Sequence, residues 1–259
     1  MQYEAVAAAV EGIPHMSPAE GRIIYDHVRH TRPENVLELG VAHGVGAAYI
    51  AAALDENGKG SLTTVDSSAF LYEEPTAEEL MERLGLSRLV RVDRSSSTYT
   101  WFLKERIEER SDADGNCEPV YDFCYLDGAK DWTIDGLAVI LIEKLLRPDG
   151  WLLMDDLDWT FSSWEGKGKS WEGNGKVGAR ETNAMSEAER NDPHLRAVFD
   201  LIVAQHPSFT ELRIQDGWWG WARKAPGEPR RLSLDTSRSL RAMVVSGMRY
   251  GKRRVLARF

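Results

Sequence analysis

The sequence predicts an α/β fold, an open and mostly parallel sheet with helices on both faces, and three observations predict it. Apolar strand patterns alternate with helical ones over residues 35–154, which calls for parallel strands joined by crossover helices. The run Val36-Leu37-Glu38-Leu39-Gly40-Val41-Ala42-His43-Gly44-Val45-Gly46 reads as a strand, a glycine turn and the start of an alanine-rich helix. Such a turn lets the backbone approach a ligand closely and aims free N–H groups at it. Leu62-Thr63-Thr64-Val65-Asp66 is a second strand ending in an acid, where a carboxylate can accept hydrogen bonds from ribose hydroxyls.

The elements follow in order. Residues 1–34 read as an N-terminal helical segment. Ser17-Pro18-Ala19-Glu20 is its strongest start signal, with Ser17 as N-cap, Pro18 in the first turn and Glu20 closing a capping box. Arg32-Pro33 stops that helix. Strands are expected at 35–39, 61–66, 89–92, 121–126 and 151–154, with helices at 44–54, 76–86, 98–110 and 134–146 between them. Arg147-Pro148-Asp149-Gly150 reads as a turn. A helix over 186–205 and strands near 208–215 and 218–223, hinged at Asp216-Gly217, close the domain. Residues 157–180, rich in glycine, lysine and tryptophan, break the alternation and read as a lid or binding loop.

Bulk properties narrow the class. The chain has 259 residues, 42% of them hydrophobic, enough for one α/β domain with a sizeable core. No apolar run approaches the ~20 residues of a membrane span, and the N-terminus lacks a signal-peptide pattern. Cys117 and Cys124 are the only cysteines, without zinc-ligand spacing, so reduced thiols and a cytoplasmic location are expected. Residues 223–259 hold 11 basic and 2 acidic side chains, a net +9 within a chain of −9, which leaves −18 on the remainder. So acidic a body argues against nucleic acid as a partner. The basic end is either a solvated terminus or a surface for an anion, an acidic partner or a second subunit in a homodimer. Its Leu240, Met243, Val244 and Met248 fall at helical spacing.

A second informative region is Tyr125-Leu126-Asp127-Gly128-Ala129-Lys130-Asp131-Trp132 together with Leu153-Met154-Asp155-Asp156. Adjacent parallel strands lie about 4.8 Å apart, so Asp127, Asp155 and Asp156 reach one edge of the sheet, the edge that also carries Gly40 and Asp66. Three crowded carboxylates need compensation, and oxygen ligands with waters suit Mg²⁺ or Ca²⁺ rather than zinc. The plainer reading is that one or two of them cap helices or solvate a loop.

The order Glu38-x-Gly40-x-x-x-Gly44-x-Gly46 differs from the G-x-G-x-x-G dinucleotide turn. It resembles motif I of the class I S-adenosylmethionine-dependent methyltransferases. The Asp127-Gly128-Ala129-Lys130-Asp131-Trp132 run, with a later strand ending in two acids, looks like the metal-dependent small-molecule O-methyltransferases, which include the catechol O-methyltransferase type and bacterial natural-product sugar methyltransferases. The resemblance covers about residues 16–160. It implies a Rossmann-like, mostly parallel seven-stranded sheet with an antiparallel last strand. A methyltransferase domain would then span 1–225, followed by a basic extension at 226–259.

The resemblance also implies roles. Glu38, Gly40, Ala42, Gly44, Gly46, Asp66, Ser67, Ser95 and Asp127 would bind S-adenosylmethionine, with Glu38 near the methionyl end, Asp66 on the ribose and Ser95 near the adenine. Asp127, Asp155 and Asp156 would hold Mg²⁺ or another divalent cation. Lys130, working with Asp127, would be the general base for methylation of a hydroxyl on a small molecule, in secondary metabolism. The catechol type has Asn where this chain has Asp156, which weakens the case for a catechol acceptor. His43 is a second base candidate, read more simply as a spacer in the turn, and Lys130 could equally pair with Asp131. Trp132 and Trp159 could wall the acceptor pocket or serve as core. Three rivals remain open: an NAD-dependent oxidoreductase, a non-catalytic module acting through the basic tail, and a metal-free N- or C-methyltransferase.

Overall fold

The computed structural model describes residues 1–67, 74–94, 96–165 and 184–227, without the side chains of Trp164 and Glu165. Seven strands form one sheet: β1 (Asn35–Leu39), β2 (Ser61–Val65), β3 (Val90–Asp93), β4 (Tyr121–Leu126), β5 (Leu146–Met154), β6 (Phe209–Gln215) and β7 (Trp219–Lys224). Their order across the sheet is β3-β2-β1-β4-β5-β7-β6. The neighbours β1 to β5 run parallel, while β7 lies antiparallel to both β5 and β6. The expected mostly parallel sheet with an antiparallel last strand is therefore present.

The chain order reverses between β1 and β4, since β1 pairs with β2 on one side and β4 on the other. Crevices of open sheets form at the carboxyl ends of strands where the order switches. Gly40, Asp66 and Asp127 each immediately follow one of the central strands, so register alone gathers them at that crevice.

Two cores hold the helices on opposite faces. On one face pack α1 (Tyr3–Ala9), α2 (Pro18–Thr31), α3 (Val45–Asn57) and α4 (Ala77–Leu84), with Ile24, Val28, Tyr49, Leu80 and Phe123 among the buried residues. On the other face lie α5 (Tyr99–Arg110) and α6 (Trp132–Leu145), with Leu37, Leu103, Val139 and Leu152 in the core. The short helices α7 (Phe161–Glu165), α8 (Glu187–Asn191) and α9 (His194–Val198) follow β5. The helix α3 is buried on nearly every side because α1, α2 and the sheet all press on it. Its alanines keep those approaches short.

Local signals decide the boundaries. Ser17 and Thr76 each form the expected type of capping box, with Glu20 and Glu79. Arg32, in the left-handed region, ends α2, and Gly58 ends α3. Two expectations fail. Residues 147–150 are not a separate turn: β5 runs unbroken from Leu146, with an irregular register against Tyr121 and Phe123 and a left-handed Asp149. The sheet absorbs the Pro-Asp-Gly sequence as an irregularity of the strand. The single helix expected over 186–205 is two short helices and a π-turn over 199–203. Pro193 forbids the helical conformation at Asp192, whose ψ is 134°.

The expected lid is described only to residue 165, and residues 166–180 lie outside the described part. So do most of the 226–259 extension and its apolar stripe. Cys117 and Cys124 are both free thiols. Among the described residues no helix is long and apolar enough to cross a membrane.

Candidate active site

The glycine turn is built against its surroundings before any ligand is considered. Gly40 has φ +94°, and a Cβ there would stand 2.0 Å from the Asp127 carbonyl oxygen. Gly44, at φ +84°, abuts Ala77 of α4. Gly46 faces the Glu38 carboxylate, with 2.5 Å between a Cβ and Oε1. Ala42 is left-handed as well, at φ +45°. These positions keep three elements in contact as the chain leaves β1.

Asp66 fastens the same turn. Its Oδ2 accepts hydrogen bonds from the main-chain N–H of Val41 at 2.9 Å and of Ala42 at 3.1 Å, and its Oδ1 accepts from Ser67 N–H at 2.7 Å. Burial pushes this carboxyl up from its ordinary pKa, against the pull of those three N–H groups. Glu38 is fully buried and accepts a hydrogen bond from the Thr64 hydroxyl. Burial, helped by the charges of Asp127 and Asp66 and opposed by the Thr64 bond, pushes its pKa up to about 8. His43 bonds through Nδ1 to the Pro75 carbonyl and stacks on His15 at 5.5 Å. Ser95 lies outside the described residues.

The acid cluster converges as expected. Lys130 Nζ contacts both Asp127 Oδ1 and Asp156 Oδ2. Tyr125 Oη lies 3.0 Å from Asp127 Oδ2 and 2.7 Å from Asp155 Oδ2. The Asp156 main-chain N–H donates to Asp155 Oδ1 at 2.7 Å. Burial, then the charges of Asp127 and Asp156, hold the Asp155 carboxyl well above the usual range. Burial raises Asp127 too, against the attraction of Lys130. For Lys130 burial acts downward, but the three carboxylates outweigh it and hold the ammonium above its ordinary pKa. Lys130 thus pairs with Asp127 and Asp156. The Asp131 carboxylate instead caps α6, accepting from Thr133 and Ile134 N–H.

This bears on the metal expectation. Among the described residues no group of three or more His, Cys, Asp or Glu side chains is arranged to hold a metal ion. The physical reason is visible: the Lys130 ammonium stands between two of the acids and the Tyr125 hydroxyl between another two. The donor chemistry still fits a hard cation, because one cationic group already bridges Asp127 and Asp156.

Sequence reasoning missed Tyr125, which alternates with Phe123 along β4 and so reads as core. It is core, stacked 6.2 Å from Trp219, yet its hydroxyl joins two acids. His194 was also missed. Its Nδ1 accepts the Trp132 main-chain N–H at 3.1 Å, its Nε2 faces the Glu189 carbonyl at 2.9 Å, and its ring meets Phe161 edge-on. Trp159 stands edge-on to Phe161 at 4.8 Å, and its main-chain N–H donates to the Asp156 carbonyl at 3.0 Å. Trp132 is exposed at the start of α6.

An open sheet with this strand order, a glycine turn over a buried Glu38 and an acid closing β2 defines the class I methyltransferase architecture. The comparisons agree. A family model described as a methyltransferase domain matches residues 37–157. Among solved structures, the O-methyltransferase from Bacillus cereus in complex with S-adenosylhomocysteine (SAH) superposes with a TM-score of 0.53 at 19% identity, covering 85% of this chain and 88% of that one. The O-methyltransferase TomG from Streptomyces achromogenes, involved in tomaymycin synthesis and bound to S-adenosylmethionine, gives 0.54 at 15% identity over 86% and 89%. An SAH-bound methyltransferase from Podospora anserina gives 0.57 at 15% identity over 85% and 86%. No curated protein matches the chain. Residues 37–157 of this chain are thus similar to a methyltransferase domain, and the solved methyltransferase structures share its fold.

Proposed function

We propose that the protein transfers the methyl group of S-adenosylmethionine to a hydroxyl of a small molecule, assisted by a divalent cation. The observation that carries this reading is the juxtaposition of the Gly40 turn with the Asp127, Lys130, Asp155 and Asp156 cluster, joined where Gly40 meets the Asp127 main chain. The O-methyltransferases among the similar structures support it.

The sulfonium methyl is already activated, so the protein's task is alignment and deprotonation of the acceptor. We assign Glu38, Gly40, Ala42, Gly44, Gly46, Asp66, Ser67 and Asp127 to the cofactor. Asp66 braces the turn by its three N–H bonds and offers its remaining acceptor capacity to the ribose. Asp127, Asp155 and Asp156 would hold the cation, whose chemistry is to lower the pKa of an acceptor hydroxyl. Lys130 is held as an ammonium by the three carboxylates. It becomes able to accept a proton when their charge is compensated, which ties its role as base to cation binding. Trp159 and Phe161, paired edge to face, would supply an apolar wall suited to a flat ring or the apolar face of a sugar. A role in secondary metabolism accords with the TomG likeness.

The test is SAH release from a panel of phenols, sugars and hydroxylated metabolites, with Mg²⁺ and with EDTA. Release that requires both a hydroxyl and Mg²⁺ supports the reading. Turnover that persists in EDTA on an amine or carbon acceptor selects a metal-free N- or C-methyltransferase instead.

A further inference from the structure

Lys130 stands between two residues whose main-chain N–H groups are both taken by buried side chains. The Ala129 N–H donates to Tyr99 Oη at 2.9 Å. The Asp131 N–H donates to Asp135 Oδ2 at 2.8 Å. Tyr99 Oη in turn donates to Asp135 Oδ1. One tyrosine from α5 and one aspartate from α6 therefore close over both flanks of the lysine.

The neighbouring sequence is fitted to this pair. Gly128 lies against the Tyr99 ring, and a Cβ there would stand 2.5 Å from Tyr99 Oη. Lys130 itself is left-handed, at φ +60°, a conformation that lysine adopts rarely and that surrounding bonds must impose. Asp135 is wholly buried. A carboxylate there is costly unless its oxygens are used, and both are used, on Tyr99 and on the turn.

We propose that Tyr99 and Asp135 are positioning residues for Lys130, holding the 128–131 turn so that its ammonium reaches Asp127 and Asp156. They act through the main chain of the turn. The effect on rate rests on the proposed role of Lys130 in methyl transfer, whereas the effect on the turn can be measured without turnover.

The experiment compares wild type with Tyr99→Phe and Asp135→Asn in the full chain. It reads amide hydrogen exchange over residues 127–134, S-adenosylmethionine affinity by calorimetry, and kcat and KM on an acceptor found by SAH release. In Tyr99→Phe the Ala129 and Asp131 amides should exchange at least about tenfold faster, while those of β1 and β4 keep their protection. The kcat should fall about ten- to a hundredfold with the cofactor KM and affinity unchanged. Asp135→Asn keeps one carbonyl oxygen and should fall between the two, which preserves the test if Tyr99→Phe does not fold. Unchanged exchange at the turn in a folded variant overturns the proposal. So does faster exchange spread evenly over the sheet with kcat preserved, the mark of a merely structural pair. If the wild type methylates nothing in the panel, the functional reading fails, and the exchange result alone decides the clamp.

Discussion

Gly40 and Asp127 meet main chain to main chain: a Cβ on Gly40 would lie 2.0 Å from the Asp127 carbonyl oxygen and 2.6 Å from its carbonyl carbon. The turn that follows β1 and the turn that follows β4 are thus set against each other with no side chain between them. That contact makes one crevice of the glycine turn and the acid cluster. Gly40→Ala should destabilise the domain by more than about 3 kcal/mol in urea unfolding, through a backbone clash added to an unfavourable φ. Gly58→Ala is the control. Gly58 is also left-handed, at φ +71°, but has nothing within 4 Å, so only the conformational cost of about 1 kcal/mol should appear. Equal effects at the two sites would show that the β1–β4 contact does not matter.

Asp66 serves the turn before it serves a ligand. Its three main-chain hydrogen bonds are charge-assisted and stronger than neutral ones. Asp66→Ala should weaken S-adenosylmethionine binding at least about tenfold by calorimetry, since it frees the Val41 and Ala42 N–H groups and removes the acceptor proposed for the ribose. A wild-type titration without heat would reject the cofactor site itself.

Glu38 gives a pH signature. Its pKa is pushed up to about 8 in the fold, chiefly by burial, from the ordinary 4.5 of a glutamate. Between those values the folded chain binds more protons than the unfolded chain. Stability from this group is therefore complete below about pH 4.5 and is lost as pH rises through 8. Glu38→Gln can still accept from Thr64 and never ionises. It should melt near the wild type at pH 5 and above it at pH 9, with the gap widening between. A constant difference in Tm across that range would mean that Glu38 ionises without cost.

Much of this was legible in the sequence because the determinants are local. β1 and β4 begin and end where their apolar runs do, and α2 starts at the capping box written in Ser17 and Glu20. The meeting of Asp127, Asp155 and Asp156 followed from strand adjacency alone. What escaped was set by partners distant in sequence. Tyr99 lies 36 residues from Asp135, and the strand pattern around Tyr125 says only that its ring is buried. Trp132 N–H finds His194 62 residues later. No spacing rule encodes such pairs, because a buried hydroxyl or imidazole is assigned its partner by packing of the whole domain.

A cation add-back experiment addresses Lys130. Lys130→Met removes the one positive charge seen among the three carboxylates within the described residues and leaves a side chain of similar length. The bare acids should then bind Mn²⁺ more tightly than in wild type, read by calorimetry or by the paramagnetic signal of free Mn²⁺. Methyl transfer should fall by at least about a hundredfold if Lys130 is the base. Unchanged Mn²⁺ affinity would show that ammonium and metal do not share the site, and unchanged turnover would remove Lys130 from the chemistry.

His27 supplies an acid limit of the opposite sign to Glu38. It packs 4.7 Å from both Phe123 and Trp221 and 5.7 Å from Trp151, and its Nε2 is buried without a hydrogen-bond partner. Burial first, then the charges of Arg213 and His30, push its pKa down from 6.5 to about 3. In that interval the unfolded chain binds the proton that the folded chain refuses. The contribution to stability is complete above about pH 6.5 and drains away as pH falls toward 3. His27→Phe fills the same aromatic box without a titrating nitrogen. It should match or exceed the wild type at pH 8, where no unpartnered nitrogen remains to be buried. At pH 4.5 it should exceed it by a larger margin in urea unfolding. Parallel pH profiles for the two proteins would mean that His27 gains its proton as readily in the fold as in the unfolded chain.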